Sequence, residues 1–212
     1  MRLFAAVLGT VFVLAHTTQV AHAAEKHLFY VHGCCVKDKD DPKAKACGTI
    51  VQALRDSGFQ VAFELRPIDV SDSEPQVRAF AARLAEKTQA LIANGVAPED
   101  ITIAGYSLGS ITALVASGLI GNPRVNFVLL AGCPIRPAVQ VDIDYSKVRG
   151  RVLAILDAKD DKYGSCREHF PAGVVFQELV LNSGEGHAVF RLPEEKFLKL
   201  WKEPLVQWAQ GK

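Results

Sequence analysis

The chain has 212 residues, 49% of them hydrophobic, with 24 basic and 23 acidic side chains. That near-neutral balance argues against a nucleic-acid binder and against a protein held to an anionic membrane. The length suits one compact domain with a sizeable core, and no repeat, low-complexity tract or Pro- or Gly-rich linker divides it.

At the N-terminus, Met1 and Arg2 precede an apolar stretch from Leu3 to about Leu14, then a polar shift and the small-x-small sequence Ala21-His22-Ala23. This pattern predicts a secretory signal peptide over residues 1–23, with cleavage before Ala24. A membrane anchor would need about 20 apolar residues, and Thr10, His16, Thr17, Thr18 and Gln19 break the run too early. The expected product is an exported domain, residues 24–212, periplasmic or secreted, with no membrane anchor after cleavage. Losing Arg2 with the leader makes its basic and acidic residues equal in number.

In an oxidising compartment the five cysteines can form bridges. Cys34 or Cys35 is expected to pair with Cys47 across a short polar loop, with Cys35 taken as the candidate. Cys133 is expected to pair with Cys166, because each follows a predicted strand on one edge of the sheet. No C-x-x-C or H-x-x-x-H spacing accompanies these cysteines, so no metal site is expected.

Apolar runs bounded by turn residues predict strands over His27–Val31, Gln60–Leu65, Ile101–Ala104, Val125–Ala131, Arg151–Leu156 and Val174–Leu181. Helical spacing covers Ala44–Ser57, Glu74–Asn94, Ser107–Leu119 and Pro193–Gln210. Alternating strands and helices predict an α/β fold, a mostly parallel six-stranded sheet with helices on both faces. The segment between Gly132 and Arg151 is too short for an inserted cap domain, so the site should be open. Trp201 and Trp208, seven apart on the last helix, read as packing residues.

Where the third strand meets the third helix stands Gly105-Tyr106-Ser107-Leu108-Gly109. A serine hydroxyl attacks a carbonyl only when a strained turn exposes it to a general base. The two glycines remove side chains that would collide in such a turn, and Leu108 offers its amide to an oxyanion. The bland alternative is an ordinary turn whose serine caps the helix.

For the base, His187 in Gly184-Glu185-Gly186-His187 follows the last predicted strand, where a glycine-containing loop can bring imidazole over the serine. His169 lies in a loop preceding that strand, and His32 is expected to brace its own loop. For the carboxylate that orients the base, Asp157, Asp160 and Asp161 all follow the strand ending at Leu156. Asp160 is preferred, because Asp157 should still belong to the strand and Asp161 should face solvent. Gly33 permits a sharp turn after the first strand, which makes the Cys34 amide the second oxyanion donor. Tyr106, Arg66 and the loop around Ile135 to Val139 are candidates for bordering an acyl pocket.

With His32-Gly33, Gly105 to Gly109, Asp160 and Gly186-His187 in this order, the chain resembles the α/β-hydrolase family across nearly all of its length after the leader. One departure is visible: the family usually has a glycine three residues before the acid, and here that position is Asp157. In size the chain resembles cutinases and other small, capless acyl esterases. The resemblance implies an exported serine hydrolase that cleaves carboxylic esters through an acyl-enzyme on Ser107, Asp160 and His187, with no cofactor. The expected partner is a small-molecule or polymeric ester substrate and not a nucleic acid. The competing readings are an acyltransferase or thioesterase using the same three residues, and a non-catalytic exported binding protein on a hydrolase scaffold.

Overall fold

A computed structural model of the chain describes residues 25–33, 39–65, 74–135 and 141–212. The predicted leader therefore lies outside the described residues, as do Cys34, Cys35 and Arg66. Six strands form one sheet: β1 (Lys26–Val31), β2 (Phe59–Phe63), β3 (Ile101–Tyr106), β4 (Asn126–Leu130), β6 (Arg151–Asp157) and β8 (Val175–Leu181). Their order is β2-β1-β3-β4-β6-β8, and every neighbouring pair is parallel. β3 and β4 are buried at every residue, which is why they read as continuous apolar runs and not as alternating ones. β8, on the edge, is mostly exposed or half-buried.

Among the described residues, four helices cover the two faces. Leu198, Trp201, Leu205 and Trp208 of α4 (Glu195–Ala209) pack with Ile50, Val51 and Leu54 of α1 (Pro42–Arg55) in one core layer. Phe80, Ala81 and Leu84 of α2 (Glu74–Ala93) pack with Ala113, Leu114 and Ala116 of α3 (Leu108–Ile120) in the other. Trp201 and Trp208 are buried, as their spacing predicted. Among the described residues, no helix is long and apolar enough to cross a membrane.

Two short pieces add to this plan. β5 (Cys133–Pro134) and β7 (Tyr163–Gly164) pair antiparallel, and the expected Cys133–Cys166 bridge closes beside them. Residues of β4 and β6 thereby lead into a second, disulfide-stapled platform at the C-terminal end of the sheet. Gly186–Arg191 forms a short 3-10 helix after β8. In a parallel sheet the C-terminal strand ends face the connecting loops of one edge, so β3, β6 and β8 deliver Ser107, Asp160 and His187 to the same side.

Candidate active site

The nucleophile candidate sits between β3 and α3 with φ 56° and ψ −119°, a backbone conformation costly for a residue with a side chain. What holds it there is backbone packing. A Cβ placed on Gly105 would lie 2.1 Å from the carbonyl oxygen of Gly109, and one on Gly109 would lie 2.0 Å from that of Val31. Strand and helix thus cross at a distance only glycine permits. The Ser107 hydroxyl makes no capping bond to the helix it precedes, which removes the capping alternative. Ser107 N–H donates to Leu130 O at 3.0 Å, so the elbow is also tied to the neighbouring strand. Leu108 opens α3, and its amide is one of the N–H groups a helix start leaves without an intrahelical acceptor. The chain at Gly33 passes over the elbow: a Cβ there would lie 3.2 Å from Ser107 Cβ.

The structure brings the three sequence-selected side chains into one hydrogen-bonded line. Ser107 Oγ lies 2.9 Å from His187 Nε2, and His187 Nδ1 lies 2.7 Å from Asp160 Oδ2. The tautomer that satisfies both contacts carries its proton on Nδ1, donating to the carboxylate, and leaves Nε2 to accept from the hydroxyl. The Asp160 side chain is fully buried, whereas that of His187 is 18% exposed. Asp160 Oδ1 accepts from the amides of Lys162 and Tyr163 at 2.9 and 3.1 Å, so both of its oxygens are engaged and the carboxylate cannot swing.

Two aromatic rings lie against the imidazole. Tyr163 stacks with His187 at 5.1 Å between centroids, and Tyr106 lies 5.2 Å away. The Tyr106 hydroxyl also donates to His187 O at 3.0 Å, so the residue before the nucleophile holds the backbone of the base. Neither contact was legible in the sequence. Of the remaining pocket candidates, Ile135 is exposed beside Gly164, and residues 136–140 lie outside the described residues.

The residues set aside fall elsewhere. His169 stacks on Tyr145 at 4.6 Å, and Asp161 is exposed. His32 is buried, and its Nδ1 donates to Gly33 O at 2.5 Å, bracing its loop. Asp157 belongs to β6 as anticipated, but it is far from idle. It is 1% exposed, and its oxygens accept from Lys159 N, Ser183 N and Ser183 Oγ. Burial alone would push its carboxyl up. The Ser183 hydroxyl and the amides of Lys159, Ser183 and Gly186 together outweigh this and hold it below the ordinary carboxylate value.

The fold has known counterparts. A putative dienelactone hydrolase from Klebsiella pneumoniae superposes with a TM-score of 0.63 at 12% identity, over 92% of this chain and 90% of its own. SOBER1 of Arabidopsis thaliana superposes at 0.60 and 16% identity, over 88% of this chain and all of its own. The chain has the α/β-hydrolase fold. A carboxylesterase from Mesorhizobium loti shares the fold at a TM-score of 0.53 and 18% identity, covering 90% of each chain. At such identities the fold is what is shared. No protein-family model matches the sequence, and no curated protein matches it significantly.

Proposed function

We propose that this protein is an exported serine hydrolase that cleaves carboxylic esters through an acyl-enzyme. The observation that carries the reading is the continuous contact from Ser107 Oγ through His187 to Asp160, at 2.9 and 2.7 Å, with the serine held at a positive φ of 56°. An incidental cluster has no reason to combine a strained serine backbone with an imidazole oriented by a buried carboxylate.

In the proposed reaction Ser107 Oγ attacks the ester carbonyl while its proton passes to His187 Nε2. The resulting imidazolium is stabilised by Asp160 across the Nδ1–H bond. The oxyanion is held by the Leu108 amide and, as the second donor, the Cys34 amide. Collapse of the tetrahedral intermediate breaks the bond to the alcohol, which leaves with the Nε2 proton. Water then attacks the acyl-enzyme by the same route, returning its proton through His187 to Ser107. The neighbours named as a carboxylesterase and a putative dienelactone hydrolase favour an ester as substrate. The signal-like N-terminus supports export, and the Cys133–Cys166 bridge is compatible with it.

Ser107→Ala is expected to lower hydrolysis of small p-nitrophenyl esters by on the order of 10^4-fold or more with an unchanged melting temperature, and to abolish labelling by a fluorophosphonate probe. Undiminished turnover in that variant would overturn the assignment. Native protein that neither turns over esters nor takes the probe would favour a binding module on the hydrolase scaffold.

A further inference from the structure

A buried carboxylate that bonds only to uncharged donors is an expensive component. Asp157 is one: its hydrogen-bond donors are two amides and one hydroxyl. Among the described residues it takes part in no ion pair. A small neutral residue at the end of β6 would avoid the desolvation, so stability of the strand does not call for it.

The arrangement of its donors suggests what it is for. Oδ1 accepts from Lys159 N at 3.0 Å, in the turn that carries Asp160. Oδ2 accepts from Ser183 N at 2.9 Å and Ser183 Oγ at 2.6 Å, in the loop that carries His187. The amide of Gly186, immediately before the histidine, also favours the charged form of this carboxyl. The Ser183 hydroxyl in turn accepts from Glu185 N at 3.1 Å. The two loops also touch directly, since Gly186 has φ 56° and a Cβ there would lie 2.8 Å from Lys159 O. One carboxylate therefore has an oxygen for each catalytic loop, and its donor Lys159 immediately precedes the acid in sequence.

We propose that Asp157 is a positioning residue that sets the register between the acid loop and the base loop, so that His187 Nδ1 meets Asp160 at hydrogen-bonding distance. This rests on the reading of Ser107, His187 and Asp160 given above. It assigns the machinery a second acidic residue that touches neither substrate nor imidazole. Only a carboxylate suits the position. An asparagine has one acceptor oxygen, serves one loop, and points an N–H group at the donors of the other.

The test compares Asp157→Asn, Ser183→Ala and Ser183→Thr with the native enzyme well below each melting temperature. Asp157→Asn is expected to lower kcat by about tenfold to 10^2-fold, the scale of a sub-ångström to ångström misplacement, with KM for p-nitrophenyl acetate within about twofold. Ser183→Ala should lose less, and Ser183→Thr, which keeps the hydroxyl, should recover most of that loss. The readout independent of activity is the far-downfield proton signal of the His187 Nδ1–H···Asp160 bond, expected in the native protein and weakened or lost in Asp157→Asn. A folded Asp157→Asn that keeps both kcat and this signal overturns the proposal and leaves Asp157 a structural residue. If Asp157→Asn does not fold, Ser183→Ala decides in the same way. Failure of the esterase reading looks different: Ser107→Ala retains turnover, whatever Asp157→Asn does to the proton signal.

Discussion

The two halves of the candidate site are built by opposite means. The nucleophile elbow is held by missing side chains, Gly105 and Gly109 letting β3, α3 and the end of β1 approach within backbone contact. The acid and base are held by added polar groups, with the carboxylates of Asp160 and Asp157 collecting amides from two loops that meet only in the folded chain. Steric confinement is local and rigid, because repulsion rises steeply over a few tenths of an ångström. A hydrogen-bonded assembly is long-range and graded, because each bond contributes only about 0.5–1.5 kcal/mol and can be weakened singly.

This contrast predicts how each half fails. Gly105→Ala should be the most damaging, since a Cβ 2.1 Å from a backbone oxygen leaves strand or helix no choice but to move. The expected cost is at or beyond the upper end of the ~1–3 kcal/mol typical of overpacking, read as loss of soluble folded protein by circular dichroism. A variant that melts like the native chain would show that the elbow is not sterically held. The disulfide staple of the acid side should come next. Cys133 and Cys166 are separated by 33 positions, and for a loop of that size the chain-entropy model assigns about 3–4 kcal/mol. Cys133→Ser with Cys166→Ser should therefore lower the melting temperature by roughly 10 °C. Because the loop between them carries Asp160 and Tyr163, kcat should fall as well, while the elbow still folds. The smallest effect belongs to Tyr163→Leu, which removes one ring from the imidazole face. Aromatic and cation–π contacts of this kind contribute about 0.5–1.5 kcal/mol, so kcat should drop roughly threefold to tenfold, without change in fluorophosphonate labelling stoichiometry.

The same contrast explains what could be read in advance. Among the described residues, all six strands of the main sheet and all four helices were legible, because burial on both faces leaves long apolar runs and helices leave a 3.6-residue period. Boundaries moved by only a residue or two, as where β2 ends at Phe63 and not Leu65. The two-residue strands β5 and β7 were not legible, since two residues carry no period. In the site, Ser107 was announced by its glycines and His187 by its place after the last strand. Asp160 was separable from Asp161 by turn geometry alone. Nothing local marked Tyr163 or Tyr106 as neighbours of the imidazole, nor Asp157 as the acceptor for Ser183, 26 positions away. The one available signal was negative, an aspartate where the resembling family places glycine.

What the amino-acid order determined by itself was therefore the sheet, its helical layers and the strained turn, all of which depend on patterns spanning fewer than about twenty residues. Only the tertiary structure decided which carboxylate faces the histidine, which rings flank it and how the two loops are locked to each other. Those are contacts between segments far apart in the chain, and a hydrogen bond between such segments leaves no periodicity in either of them.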